Sequence, residues 1–281
     1  ERTVDLAHGL GLRVAYFPCV GPVTCGAAYE NELEPTPAVL KAYREFKAEQ
    51  AALAEKLQCE MLWVGNEWNQ SFPYGDEWKK ILKAVRSNFS GSIVVEFHYY
   101  NTRCWEEILA NPSPSTTPPT GVDPECFELM DNVGLSMITF PMSPRYGGYD
   151  PCGPEYYSPT VPQLIERWQR PARAIEQAYE KFKKPVIIAE LGAGSYDGAA
   201  CEQWKSPPNR AKKPMTSRDI DFQEQADLFE AAMRVVTTLE CVRGVSWNLW
   251  NAFEPGLFYP MNELDKRSTQ FQGKPAEKVL R

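Results

Sequence analysis

The stretch "MLWVGNEWNQ", residues 61–70, decides how the rest of the chain is interpreted. It begins as a run of apolar residues suited to a buried strand. The run ends in an amide and a carboxylate side by side, Asn66 and Glu67, followed by Trp68. A buried strand that ends in two adjacent polar side chains delivers both to the rim of its sheet. The sequence therefore predicts a polar site at the carboxyl end of this strand.

Apolar runs of the same kind recur along the chain and alternate with helical patterns. Near-continuous apolar strands that alternate with amphipathic helices are typical of a parallel sheet covered by helices. The predicted strands are residues 12–20, 61–67, 92–100, 135–141, 185–192 and 244–250, and the clearest predicted helices are residues 39–57, 77–88, 161–181 and 221–239.

The loops favour a closed barrel over an open sheet. Segments that follow strands are long and rich in Pro, Gly, Tyr and Trp, as at 141–160 and 192–219, whereas most segments that enter strands are short. Elaboration at one end of the strands is what a (β/α)8 TIM barrel shows at its catalytic face. We therefore predict an α/β fold of this class, with residues 1–281 forming a single catalytic barrel domain.

Only six strands are visible, and the chain opens in a helical pattern that leads into the first of them. If the barrel has eight strands, the first two βα units are absent from this chain, and the domain is N-terminally incomplete. A parallel barrel of six strands is the alternative.

Composition excludes several classes of function. The chain has 281 residues, 43% of them hydrophobic, and no apolar run approaches the length of a membrane span. A formal charge of −7 argues against nucleic-acid binding, which needs a basic face. We expect no nucleic-acid partner. Oligomeric state is left open.

Eight cysteines, an even number, favour an oxidising compartment, so we expect a secreted or extracellular protein with disulfide bonds. Cys19 and Cys25 are the most local candidate pair, although sequence does not establish connectivity. Cys59 and Cys241 each precede an apolar strand, and buried free thiols are the alternative for them.

A second polar strand end gives the first one a chemical meaning. "KPVIIAELGAGS", residues 184–195, places Glu190 at the end of a buried run, as residues 61–67 place Glu67. Two carboxylates at one rim of a barrel can flank a glycosidic bond, one as acid/base and the other as nucleophile. Taken singly, each could instead be a helix N-terminal charge or a salt-bridge partner. No metal-ligand spacing or phosphate-binding loop is found in the sequence, so we predict neither metal nor cofactor.

The order of three strand ends, "GNE", "AELG" and "GVSWNLW", resembles the clan A glycoside hydrolases. Within that clan the chain is most similar to family 113, the β-mannanase-like enzymes. The similarity is carried by "EWKKILKAVRSNFSG" (77–91), by "KP" before the seventh strand, by "DFQEQADLFEAAM" (221–233) and by "GKPAEKVL" (273–280). The resemblance implies that the visible strands are strands three to eight.

The same resemblance implies that Glu67, after strand four, is the acid/base and that Glu190, after strand seven, is the nucleophile. The expected activity is hydrolysis of a β-linked polysaccharide or oligosaccharide of β-mannan type, with retention of configuration. Two alternatives remain at this point. One is a non-catalytic barrel that binds glycans or has a structural role, and the other is an endo-β-1,4-galactanase-type enzyme.

Further side chains are candidates for substrate binding. Asn66 would donate to the sugar 2-hydroxyl. Trp247 and Trp250 compete for the floor on which a sugar ring stacks, and Trp250 is favoured because it lies nearer the catalytic end of its strand.

Two residues of the third visible strand, His98 and Tyr100, share a face with Glu96 at the end that should reach the site. His98 is a candidate for hydrogen bonding to substrate or to Glu190, and a structural histidine is the alternative. Glu96 itself lies deeper and is expected to pair with Arg or Lys. Aromatic residues of the loops are expected to line an open cleft: Trp68, Tyr146, Tyr149 and Trp204.

Overall fold

The structure is a computed structural model that describes residues 1–20, 33–66, 68–98, 125, 128–136, 159–200, 219–247, 271 and 273–280. The helices in these ranges are α1 (Arg2–Gly9), α2 (Pro37–Lys56), α3 (Gly75–Arg86), α4 (Val161–Phe182), α5 (Phe222–Val236) and α6 (Pro275–Val279). The strands are β1 (Ala15–Tyr16), β2 (Met61–Asn66), β3 (Ser92–His98), β4 (Asn132–Ser136), β5 (Val186–Leu191) and β6 (Val242–Trp247).

The strands form a six-stranded sheet whose order follows the sequence, from β1 to β6. The pairs β1–β2, β2–β3 and β3–β4 are parallel, with a register shift in β2 between Trp63 and Gly65. A helix lies between β1 and β2, between β2 and β3, between β4 and β5, and between β5 and β6. This is the repeating βα order that the sequence predicted.

The predicted helices begin and end within three residues of the observed ones, but β4 was placed too late. The prediction was residues 135–141, whereas the strand is Asn132–Ser136, and residues 137–141 lie outside the described ranges. The polar Asn132 conceals the start of the strand from an apolar pattern. Its amide Nδ2 donates to Ser92 Oγ at 2.6 Å, so a polar side chain is satisfied at this mostly buried position.

The chain divides into two compact units. One comprises Glu1–Ser136 and Gln177–Ile187, and the other comprises Met137–Glu176 and Ile188–Arg281. That the whole chain forms one catalytic domain stays a prediction.

In the first unit, an aromatic cluster joins α2 and α3 to β2. Thr36 caps α2 by accepting the amide hydrogen of Val39, and Pro37 follows as its first residue. Tyr43 of α2 lies 6.0 Å from Trp78 of α3, measured between ring centroids, and both rings are buried. The hydroxyl of Tyr43 donates to a backbone carbonyl of β2, so α2 is tied directly to that strand.

In the second unit, α5 is the helix with the largest number of residues described as buried. Asp221 caps it, accepting amide hydrogens from Gln223 and Glu224 at 2.9 Å each. Nine residues of α5 are buried, among them Phe229, on which Trp247 of β6 stacks at a centroid distance of 4.6 Å. These buried residues form one broad face of the helix, which explains the apolar residues at helical spacing in this segment.

The described residues do not support the two expectations drawn from the cysteine count, namely disulfide bonds and secretion. No disulfide is found among them, and Cys59 and Cys241 are buried. Cys25, the expected partner of Cys19, lies outside the described ranges. Secretion stays a prediction. None of the described helices combines the length and apolarity needed to cross a membrane.

Candidate active site

Strand β2 ends at Asn66, whose side chain is buried with 8% exposure. Glu67, the next residue, lies outside the described ranges. Asn66 is in register with Glu96 of β3, so these two side chains lie on the same face of the sheet. The expected contact of Asn66 with a sugar 2-hydroxyl stays a prediction.

Glu96 is fully buried, and its carboxylate accepts the indole Nε1 hydrogen of Trp63 at 2.9 Å. On the next strand, Gly134 is in register with Glu96, and Ser136 lies two residues further along the same face. Ser136 Oγ is buried, with 1% exposure for the residue, and no hydrogen-bond partner is found for it in the described structure. Polar groups on three adjacent strands therefore share one face of the sheet.

Glu190 is the next-to-last residue of β5, and it is the only residue of that strand that is not buried. Its neighbours Ala189 and Leu191 are 3% and 0% exposed. Glu190 is thus a partly exposed residue at the carboxyl end of an otherwise buried strand. This placement suits a group that must meet a substrate.

The segment after Glu190, residues 192–200, is held by the first turn of α5. Both oxygens of Glu224 accept backbone hydrogens, from Gly198 and from Ala200, each at 2.8 Å. Gln225 Nε2 donates to the carbonyl of Ala193 at 2.7 Å. Burial raises the pKa of Glu224 to about 8, against the opposite effect of the two amide hydrogens. Sequence spacing gave no sign of this arrangement, because its partners lie 24 to 32 residues apart.

Two aspartates lie beside Glu224. One carboxylate oxygen from each of Asp197, Asp221 and Glu224 falls within 4.8 Å of the others. Carboxylate oxygens are the donors that Ca²⁺ and Mg²⁺ prefer. However, an oxygen of Asp221 and both oxygens of Glu224 already accept amide hydrogens of the backbone. Hydrogen bonding to the protein accounts for the position of these two carboxylates.

The structure corrects the expected role of Trp68, which does not line an open cleft. Its side chain is 0% exposed and packs 4.7 Å from the Tyr43 ring, between centroids. Its indole Nε1 donates to the carbonyl of Leu33 at 2.7 Å. Trp68 belongs to the core between α2 and α3, because residues far away in sequence supply both its ring contacts and its hydrogen-bond acceptor.

Of the remaining aromatic candidates, the structure describes Trp247 and the backbone of His98, and the others lie outside the described residues. Trp247 is half-buried, stacked on Phe229 and edge-on to Phe271 at 6.2 Å, so its described contacts are packing contacts. For His98 the structure describes the strand position but not the side chain. The other candidates lie outside the described residues, and their roles stay predictions: Trp250, Tyr100, Tyr146, Tyr149 and Trp204.

Comparison with known proteins identifies what the chain resembles. Residues 2–110 match the sequence profile of Glycoside Hydrolase Family 113. No curated protein matches the chain in sequence.

Solved structures match over almost the whole chain. A family 113 β-mannanase from Alicyclobacillus acidocaldarius, solved in complex with ManMIm, is 21% identical, with 99% of this chain and 74% of that chain covered and a TM-score of 0.67. A family 113 β-1,4-mannanase has 22% identity, coverages of 99% and 75%, and a TM-score of 0.67. Fungal β-1,4-galactanases match with 13% identity, coverages of 88% and 70%, and a TM-score of 0.50.

The (β/α) TIM-barrel class is confirmed by these structural matches and by the order of the sheet. The expected resemblance to family 113 of the clan A glycoside hydrolases is confirmed by the profile match over residues 2–110, and the solved structures, at 22% identity or less, share the fold. The chain is thus related to glycosidases, and the matched region includes Asn66 and Glu67.

Proposed function

We propose that this glycosidase-related chain cleaves β-linked mannan with retention of configuration, using Glu67 as acid/base and Glu190 as nucleophile. The observation that carries the proposal is the family 113 match over residues 2–110, because that region contains the strand end at Asn66 and Glu67. The half-buried position of Glu190 at the end of β5 supports the second role.

The two carboxyl groups must be in opposite protonation states. Glu190 attacks the anomeric carbon and forms a glycosyl ester, while Glu67 gives its proton to the departing oxygen. In the second half-reaction Glu67 takes a proton from water, which displaces the sugar from Glu190. A retaining mechanism requires the two carboxyl groups to lie about 5–5.5 Å apart, and we predict that separation here.

Asn66 is proposed to donate a hydrogen bond to the 2-hydroxyl of the sugar that reacts. This contact strengthens in the transition state, as positive charge develops at the anomeric carbon. The location of Asn66, immediately before the proposed acid/base, supports the proposal.

The experiment that tests this function compares wild type with two single variants. Purified protein is incubated with mannan, galactan, xylan and β-glucan, and the products are analysed by chromatography. We expect release of manno-oligosaccharides, with loss of activity in Glu190→Ala and partial recovery on addition of azide. Glu67→Ala should retain more activity on aryl glycosides with good leaving groups than on polysaccharide, because the first step then needs no proton.

The outcomes separate the alternatives. Hydrolysis of galactan alone would replace mannan with galactan as the substrate. Binding to a glycan without any cleavage would favour the non-catalytic barrel. If Glu67→Ala lost activity equally on all leaving groups and Glu190→Ala stayed active without azide, the assigned roles would be wrong.

A further inference from the structure

The peptide that follows Glu190 is fastened to the first turn of α5 at several points. Gln225 binds the carbonyl of Ala193, three residues after Glu190, at 2.7 Å. Next along the chain, the carbonyl of Ser195 accepts the Asp221 amide hydrogen at 3.1 Å. Glu224 then accepts the amide hydrogens of residues 198 and 200. The fastening therefore begins within three residues of the carboxylate and continues to the end of the segment.

The side chains that do this are buried, so water does not compete for their hydrogen bonds. Glu224 is 4% exposed and Gln225 is 0% exposed. Ser195, also 0% exposed, receives a second hydrogen bond, from Lys274 Nζ to its Oγ at 2.9 Å. Burying a carboxyl group costs free energy, unless hydrogen bonds to the protein replace those it made to water. Glu224 has such bonds only to the segment after Glu190, among the bonds that the structure describes.

Gly194 shows how closely this segment is packed. A Cβ atom added there would lie 2.2 Å from Cε1 of the Tyr196 ring, and that ring is buried. Tyr196 also forms an isolated antiparallel bridge with Ile220, just before α5. The segment thus folds back on itself and is joined to α5 by both backbone and side chains.

We propose that Glu224 and Gln225 are positioning residues for Glu190, and that they fix the strand end on which the proposed nucleophile stands. This inference rests on the proposed function, since Glu224 and Gln225 can position a nucleophile only if Glu190 reacts with the substrate. Neither side chain is proposed to touch the sugar. A displacement of about 1 Å at a reacting group can reduce a rate by roughly a hundredfold, so rigid support of a nucleophile has a measurable consequence.

The test measures how fast Glu190 is trapped by 2-deoxy-2-fluoro-β-mannosyl fluoride. In this reaction a Glu190 oxygen forms an ester bond to the anomeric carbon and fluoride leaves with its bonding electrons. The labelled peptide is identified by mass spectrometry, and the trapping rate constant is separated from the dissociation constant of the reagent. Wild type is compared with Glu224→Gln and Gln225→Met, which approximately preserve side-chain volume.

We expect both variants to be trapped roughly tenfold to a hundredfold more slowly, with a dissociation constant close to that of wild type. The matched control is Glu230→Gln on the same helix, whose carboxylate pairs with Arg234 at the surface and which should be trapped at the wild-type rate. Circular dichroism and thermal melting establish that each variant is folded. Gln225→Met decides the matter if Glu224→Gln does not fold, because it removes the hydrogen bond to Ala193 and leaves Glu224 in place.

Glu190→Ala separates the failure of this inference from the failure of the proposed function. If Glu190→Ala loses activity and both variants are trapped at the wild-type rate, the positioning role is wrong and the proposed function stands. If Glu190→Ala remains active, or label appears on another residue, the assignment of Glu190 itself is wrong. A raised dissociation constant of the reagent with an unchanged trapping rate constant would also overturn the positioning role.

Discussion

Trp68 follows the proposed acid/base directly in the sequence, and the structure makes it an anchor. Its indole donates to the carbonyl of Leu33, and its own carbonyl accepts the hydroxyl hydrogen of Ser71 at 2.6 Å. The same hydroxyl oxygen accepts the Trp78 indole hydrogen at 2.9 Å. The residue next to Glu67 is therefore held by both its ring and its backbone, which stabilises the end of β2.

We predict that Trp68→Ala lowers the free energy of unfolding by about 3–5 kcal/mol, the range found when large buried aromatic residues are truncated. Trp68→Phe should cost less free energy of unfolding, because it keeps a ring in the cluster. It loses only the hydrogen bond to the Leu33 carbonyl and part of the ring contacts. Chemical denaturation measures both values. Tyr74→Ala is the control, since Tyr74 is 45% exposed and its removal should change stability little. A large rise in KM without loss of stability would instead make Trp68 a substrate platform.

At the scale of elements, α3 packs against β2 at Gly65, a residue without a side chain. A Cβ atom at Gly65 would lie 2.8 Å from Cη2 of Trp78 and 3.2 Å from Cγ1 of Val95. Trp78 is 1% exposed and its indole is bonded to Ser71, so the ring is not free to swing away. The glycine allows α3 to lie close against the strand that ends at Asn66.

Gly65→Ala is therefore expected to destabilise the protein by about 1–3 kcal/mol, as overpacking of a well-filled core does. The expected result is a lower midpoint of denaturation with an unchanged slope. Gly9→Ala is the matched control, because nothing lies within 4 Å of a Cβ atom at that position. Equal stability of the two variants would mean that the Trp78 ring adapts to the added methyl group.

For the whole molecule, the buried carboxyl of Glu224 makes stability depend on pH. Its pKa is 4.5 in the reference state and about 8 in the folded chain, chiefly because burial disfavours the charged form. A raised carboxyl pKa stabilises the fold below the unfolded value and loses that effect as the pH rises through the folded value. The free energy contributed by Glu224 should thus decline between about pH 4.5 and pH 8.

We predict that Glu224→Gln flattens the fall in stability over this interval, by on the order of a few kcal/mol. Denaturant unfolding of wild type and variant at pH 4.5, 6, 7 and 8 measures the effect. Glu230→Gln, on the same helix, should keep the pH dependence of wild type. An identical pH dependence in wild type and Glu224→Gln would show that burial of this carboxyl does not govern stability in that range.

Most of the secondary structure was predictable because burial repeats locally along the chain. Helices α2, α3, α4 and α5 follow from apolar residues at helical spacing, and β2 and β5 from continuous apolar runs. The candidates Asn66 and Glu190 were likewise visible as polar side chains at the ends of buried runs. The start of β4 was not, because a buried Asn132 paired with Ser92 cannot be distinguished in sequence from a loop residue.

The sequence by itself determined the order of strands and helices and the candidate carboxylates, since both depend on neighbours only a few residues away. Only the tertiary structure decided that Trp68 lies in a core and that Glu224 and Gln225 hold the segment after Glu190. An aromatic ring suits a cleft or a core equally well, and a glutamate suits a surface or a buried clamp. The choice depends on partners about 25 to 35 residues away, which no local pattern specifies.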